Sequence, residues 1–502
     1  MPKKSWTSTV KTTVRPNSCW QTIDETFNRA PAVDAWNANT YLSEDCLYLN
    51  AWIPDTTERK SILVWIYGGG FWGGTSTLDM YDGAVLARKN NIIIVSMNYR
   101  VGALGFLFMN SSEAPGNVGL LDQQLALKWI HDNAENMGGD PNNISIFGES
   151  AGATSVGFHL LSTNSSQYFK NAMMMSGSPT AYWAIQPTDK AMNRAKKLAN
   201  FVSCTQPDPM KCLRDTKPIE LVKNQWGLVE SYFDLPFAPV VDGQFLVKHP
   251  SELMTRDRLS NRNLLTGVVK DEGSYWLLYG FAGDFNVSSP NINSTRYPEI
   301  VDGILKSVGP SYQQANVVKN VAAEFARGRS DYIGVLDDLS GDILFKCGVT
   351  EFAQEFSRQG GHVYMYSLEH RASNLPWPQW IGAPHGLELP FFFGAPWSNT
   401  SGNFTSGEKV MSQDIMQWVT TFAKTGNPGS VWPEYKHNEQ KYLQIVQPSI
   451  YTVKSGLRSD TCTYWKDVVP QLLVKSTNSC ALLKSTDLSF MLLVAILLLL
   501  LI

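Results

Sequence analysis

The sequence predicts an α/β fold with a large, mostly parallel central sheet flanked by helices, and three stretches carry that prediction. Asn143 to Phe147, NISIF, has strand composition, and Ala151 to Leu161, AGATSVGFHLL, follows with helix composition and spacing. Ser61 to Ile66, SILVWI, reads as a buried strand running into a glycine-rich loop from Gly68 to Gly74. Residues 264–269, LLTGVV, and 362–370, HVYMYSLEH, read as two further strands, the first closing on an acidic pair. No repeat, charge block or long Gly/Pro/Ser linker divides the chain, so residues 1–479 are expected to form one domain.

The junction between the first strand and helix is Gly148-Glu149-Ser150-Ala151-Gly152. A G-x-S-x-G strand-to-helix turn is the nucleophile elbow of α/β-hydrolases: glycines permit the crowded backbone and the serine hydroxyl projects from the sheet. In that arrangement a glycine loop supplies oxyanion donors, joined by the N–H after the nucleophile, which makes Gly69, Gly70 and Ala151 the candidates. The loop lacks the G-K-[ST] ending of a phosphate-binding P-loop.

A base is needed, and the order Ser…Asp/Glu…His places an acid before it. His385, in WIGAPHGLELPF, is bracketed by small and rigid residues and suits the role better than the other six histidines. The acid lies in KDEGSYW, where Asp271 and Glu272 are equally placed by spacing.

Hydrophobic residues make up 43% of the chain and charged residues 17%, which describes a globular protein with a large core. A net charge of −3 argues against a nucleic-acid partner. The 7 cysteines favour an oxidising, secretory compartment. N-x-[ST] sequons at Asn110, Asn143, Asn164, Asn286, Asn293, Asn399 and Asn403 agree with it. After Met1-Pro-Lys-Lys no apolar stretch resembles a signal peptide, so further N-terminal residues are expected. At the other end, small residues Ser479, Cys480 and Ala481, a spacer to Ser489 and an apolar run from Phe490 to Ile502 form the pattern of a GPI-attachment signal over 480–502. The alternative is a short tail anchor.

SEDCLYLNAWIP, VWIYGGGFW, NYRVGALGFL, APGNVGLLDQQLALKWIHDN, GGDPNNISIFGESAGATSVGFHLLS, KDEGSYWLLYG, ASNLPWPQW and FAKTGNP together resemble the type-B carboxylesterase family, and specifically its cholinesterase branch. The resemblance runs from about Lys3 to about Cys480. It implies an α/β-hydrolase with the triad Ser150, Glu272 and His385, and so favours Glu272 over Asp271. It implies the same oxyanion hole, and disulfides Cys19–Cys46, Cys204–Cys212 and Cys347–Cys462. Cys480 is left to link subunits in a homodimer.

Aromatic residues are 12% of the chain, and the resemblance gives part of that set a ligand. Ring faces attract a quaternary ammonium without a desolvated carboxylate. The family's choline-binding positions fall on Trp36, Glu149, Tyr81 and Tyr275, and its peripheral positions on or beside Asp24, Trp72, Trp226 and Tyr279. Thr22 stands where many members have tyrosine, and Trp65 and Trp380 read as core. The acyl pocket falls on Trp183, Phe233, Leu235 and Trp276, with Leu235 where a second phenylalanine is usual. The expected activity is hydrolysis of acetylcholine through an acyl-serine, with widened acyl specificity and no cofactor or metal. A general carboxylesterase would share the triad without Trp36; a non-catalytic adhesion relative usually loses the nucleophile.

Overall fold

A computed structural model describes residues 12–55, 58–286, 288–398 and 402–473. Cys480, the apolar tail and Asn399 lie outside them. The organising element is a 10-stranded sheet. Its strands are β1 (Leu49–Trp52), β2 (Lys60–Ile66), β3 (Ile93–Met97), β4 (Gly139–Glu149), β5 (Asn171–Met175), β6 (Asn263–Val269), β7 (His362–Leu368), β8 (Glu434–Tyr435), β9 (Lys441–Gln447) and β10 (Ile450–Ser455). They lie in the order β10-β9-β7-β6-β5-β4-β2-β3-β1, with β8 added against β7. Every pairing from β3 across to β9 is parallel; β1, β8 and β10 are antiparallel additions. The sheet is therefore mostly parallel, as its sequence predicts.

The inner strands are apolar because helices cover them. Ile62 to Ile66 of β2 and all of β5 are buried, the mark of strands enclosed on both faces. Helix α1 (Ala151–Leu161) packs on β4 and β5 and is buried along its whole length. Helix α2 (Ser406–Thr425) packs on β2 and β4. It begins at a capping box of Thr405 and Glu408 and ends at Gly426 in the left-handed region. A second apolar cluster joins helices Arg296–Val308, Ala315–Phe325 and Tyr332–Gly341 to Val469. The three disulfides Cys19–Cys46, Cys204–Cys212 and Cys347–Cys462 are all formed.

Parallel strands point their carboxyl ends one way, and open α/β sheets bind ligands there. The glycine loop follows β2, Ser150 follows β4, Glu272 follows β6 and His385 lies on the chain beyond β7.

Candidate active site

Ser150 sits between β4 and α1 at φ 56° and ψ −123°, a backbone conformation that L-residues seldom adopt. The turn closes tightly enough to require its glycines. A Cβ on Gly152 would come 2.1 Å from the Ile66 carbonyl oxygen, and one on Gly148 would come 2.5 Å from the Gly152 carbonyl carbon. The Ser150 N–H donates to the Met175 carbonyl at 2.8 Å, tying the elbow to β5.

The glycine loop lies directly over this turn. A Cβ on Gly68 would stand 3.0 Å from Ser150 Cβ and 2.5 Å from the Glu149 carbonyl oxygen. Gly69 and Gly70 take φ +111° and +58°, which favour glycine. Among the described residues, the N–H groups of Gly69 and Gly70 donate to no backbone carbonyl. Ala151 opens α1, where an N–H has no partner within its own helix. Among the described residues these three N–H groups donate to no backbone carbonyl, which leaves them open to an acceptor such as a developing oxyanion.

His385 Nδ1 stands 2.6 Å from Glu272 Oε2, and both side chains are buried. The other oxygen of Glu272 accepts the Val269 N–H at 2.9 Å. Asp271 turns elsewhere: its Oδ2 accepts the Ala383 N–H at 2.7 Å. The two carboxylates that spacing left equivalent therefore point to different partners, Glu272 to the imidazole and Asp271 to a backbone. Among the described residues His385 Nε2 makes no hydrogen bond, and it stands 3.0 Å from Glu149 Oε1. Base-to-nucleophile contacts are often open before substrate arrives.

Glu149 and Glu388 are buried close to this pair. Burial, and then the charge of Glu272, hold Glu149 well above the ordinary carboxyl range, which favours its neutral form. Burial first, with Glu149 and Glu272 adding to it, raises Glu388 to about 8. Glu388 Oε1 accepts from Ser176 Oγ at 3.0 Å and from the Tyr366 hydroxyl at 3.4 Å. Among these carboxyls, Glu272 is the one held by both a backbone N–H and the imidazole.

Aromatic rings stand near the base and the glycine loop. The Trp36 indole reaches the site through Gly386, where a Cβ would meet its Cη2 at 2.7 Å and Glu149 Oε1 at 3.7 Å. Tyr81 is buried against Trp65 and Phe393, and its hydroxyl is pushed up by burial and by Glu149. Tyr275 packs edge-on to Trp276 and to Trp377. Its hydroxyl donates to Tyr279, which in turn donates to Asp24 Oδ2 at 2.7 Å. In the glycine loop, Trp72 meets Trp226 edge-on at 4.7 Å, and Trp226 Nε1 donates to Thr22 Oγ1 at 2.8 Å. Trp65 is fully buried, and Trp380 packs on Phe285 in the second cluster.

Trp183, Phe233 and Trp276 form a chain of edge-on rings, and Leu235 stands beside Gly70. Trp276 lies 5.6 Å from the His385 ring, and sequence reasoning missed a second ring that joins this group to the base. Phe345 stacks on His385 at 4.1 Å between centroids and also contacts Trp183, Phe233 and Trp276. It sits in a π-helical turn, Asp342–Lys346, whose Leu344 carbonyl accepts Trp183 Nε1 at 2.6 Å. Such turns recur at functional sites, but GDILFKC reads from sequence as ordinary core.

Asn110, Asn164, Asn286, Asn293 and Asn403 are exposed. Asn143 is half-buried, and its Nδ2 donates to Ser61 Oγ at 2.8 Å and to the Lys424 carbonyl at 3.1 Å.

The profile of the carboxylesterase family matches residues 1–465. An acetylcholinesterase of Bungarus fasciatus is 39% identical over 493 residues, covering 95% of this chain and 80% of that one. Acetylcholinesterase 1 of Caenorhabditis elegans is 38% identical, covering 94% of this chain and 82% of its own. A cholinesterase of Mus musculus is 40% identical, covering 94% and 80%. The chain belongs to the carboxylesterase family and is a serine hydrolase of carboxylic esters.

Proposed function

We propose that this esterase hydrolyses choline esters, acetylcholine among them. The observation that carries the reading is the Trp36 indole beside Gly386, next to the base and to Glu149. An aromatic face is the group that binds a quaternary ammonium where water is excluded. The similarity to acetylcholinesterases and a cholinesterase supports it.

In the proposed reaction Ser150 Oγ attacks the ester carbonyl and passes its proton to His385 Nε2. Glu272 holds the Nδ1–H tautomer and stabilises the imidazolium. The N–H groups of Gly69, Gly70 and Ala151 receive the oxyanion, where one donor is worth roughly 3–4 kcal/mol. His385 then protonates the departing choline, and water attacks the acyl-Ser150 with the same groups in reverse roles. Trp36, Glu149, Tyr81 and Tyr275 form the choline site. Trp183, Phe233, Leu235 and Trp276 hold the acyl group, with Leu235 widening acyl tolerance. Asp24, Trp72, Trp226 and Tyr279 form a peripheral site at the mouth.

The sequons and disulfides support a secreted glycoprotein. The terminal pattern supports a GPI anchor on the outer face of the plasma membrane, and Cys480 a homodimer. No helix among the described residues is long and apolar enough to cross a membrane. Kinetics of the purified protein with acetyl-, propionyl- and butyrylthiocholine, beside an uncharged isosteric acetate, test the reading. Preference for the cationic acetate supports it, and equal turnover of charged and neutral esters overturns it. Release from cells by a phosphatidylinositol-specific phospholipase tests the anchor.

A further inference from the structure

We infer that Asp271 and Arg371 are positioning residues: Asp271, with Ser274, fastens the loop carrying His385 to the turn carrying Glu272, and Arg371 braces that loop on itself. The inference rests on the reading of Glu272 and His385 as acid and base.

Between the end of β7 at Leu368 and His385 the chain has little regular structure, only a short 3₁₀ turn at Gln379–Ile381. Left to itself, such a segment would let the imidazole wander. Instead, three consecutive residues just before Pro384 and His385 are each gripped. The Ser274 hydroxyl lies 2.8 Å from the Ile381 carbonyl and 2.9 Å from the Asp271 carbonyl, with one proton to share between them. Arg371 Nη1 donates to the Gly382 carbonyl at 2.8 Å, and Nη2 to the Trp377 carbonyl at 2.6 Å. Ala383 is held twice: its N–H donates to Asp271 Oδ2 at 2.7 Å, and its carbonyl accepts the Asp271 N–H at 3.0 Å.

Two of the three grips come from residues 271 and 274, which bracket Glu272. The acid and the base therefore sit on one braced unit, not on two independent loops. Gly382 shows how close the contact is. It takes φ +64°, and a Cβ there would fall 2.1 Å from Asp271 Oδ2, so the carboxylate occupies the space of a side chain. The turn is also held from behind, where Asp337 Oδ1 accepts the Gly273 N–H at 2.9 Å. Burial raises Asp337 well above the ordinary carboxyl range; Lys346 opposes that, and Asp271, with which Asp337 shares a hydrogen bond, reinforces it.

The bracing matters because catalytic geometry is steep: a misplacement of about 1 Å can lower turnover by roughly 10²-fold. The test uses purified full-length variants assayed with p-nitrophenyl acetate and acetylthiocholine, with Tm measured alongside. Asp271→Ala is expected to lower kcat by about tenfold or more on both esters while KM moves less than about twofold. Asp271→Asn is expected to recover most of that loss, because its Oδ1 still accepts from Ala383 and its Nδ2 can donate to Asp337. Arg371→Met is expected to lower kcat as Asp271→Ala does.

A folded Asp271→Ala with wild-type kcat and only a lower Tm overturns the inference, as does an Asn variant no better than Ala. Should Asp271→Ala not fold, Ser274→Ala and Arg371→Lys decide: unchanged kcat in both overturns it, and lowered kcat at steady KM supports it. The neutral ester keeps the two proposals apart. A protein active on p-nitrophenyl acetate but indifferent to choline loses the choline reading, while the kcat comparison still decides the role of Asp271.

Discussion

Glu272 Oε2 and His385 Nδ1 stand 2.6 Å apart in a buried contact, and among the described residues the only other acidic oxygen paired with the imidazole is that of Glu149, 3.0 Å from Nε2. If the first contact orients the base, Glu272→Gln leaves an amide that holds the ring poorly and stabilises no cation. Ser150→Ala, His385→Ala and Glu272→Gln should each lower esterase kcat, on the order of 10⁶-fold for the first two and about 10⁴-fold for the third. Groups acting as one unit give non-additive losses, so Ser150→Ala with His385→Ala should be little worse than Ser150→Ala alone. Stopped-flow and steady-state assays check this; near-normal turnover by folded Ser150→Ala would refute the mechanism.

Trp36 and Gly386 depend on one another. The glycine has no side chain to keep the indole off, and a methyl there would overlap Cη2 at 2.7 Å. A desolvated cation–π contact contributes about 2 kcal/mol or more. Trp36→Ala should therefore lower kcat/KM for acetylthiocholine by well over about tenfold, and far less for the uncharged isostere. Gly386→Ala, which displaces the ring instead of removing it, should shift the same ratio in the same direction. Equal losses for both esters would make the indole merely structural.

What was legible in the sequence follows from how local each signal is. The elbow and glycine loop are read directly because a strained φ and a close backbone approach leave glycines at fixed offsets around Ser150, Gly69 and Gly70. The strand ends at Ile66 and Val269 were legible from the breaks in apolar runs, while the elbow strand runs two residues past the end of its apolar run, to Glu149. Asp271 and Glu272 were not separable by spacing, because neighbouring side chains diverge according to what the fold packs against each. Phe345 and Glu388 were invisible for a related reason. Each sits in an apolar run that reads as core, and only the approach of distant elements makes one a partner of His385 and the other of Ser176.

Glu408 supplies a stability prediction with a definite sign. Burial alone would raise its pKa, but hydrogen bonds from Ser373 and Thr405 win and bring it down to about 2. A carboxylate depressed in the folded state contributes stability above its unfolded value of about 4.3 and loses it as pH falls toward the folded one. Glu408→Gln should thus lower Tm at pH 7, and the gap from the wild type should close as the pH drops from about 5 to about 2. Thermal melts across that range read it out. A gap that stays constant would show that the carboxylate's charge is not what these hydrogen bonds stabilise.

The last prediction concerns the proposed acyl site, to which Leu235 and Phe345 would both contribute. Leu235 Cδ2 lies 3.3 Å from where a Cβ on Gly70 would be, so it borders the oxyanion loop. Phe345 packs on His385 and contacts Phe233 and Trp276. A phenylalanine at 235 would fill the room that leucine leaves, and Leu235→Phe should lower butyrylthiocholine turnover more than acetylthiocholine turnover. Phe345→Ala should do the reverse. Because Phe345 also backs the imidazole, kcat should fall for both substrates, and the butyryl-to-acetyl ratio is the informative quantity. Fitting or excluding a methylene is worth about 1–3 kcal/mol, so the ratio should move by roughly tenfold or more in each direction. If neither substitution moves it, the acyl group lies elsewhere. If only Phe345→Ala does, the ring missed in the sequence, and not the leucine, sets the size limit.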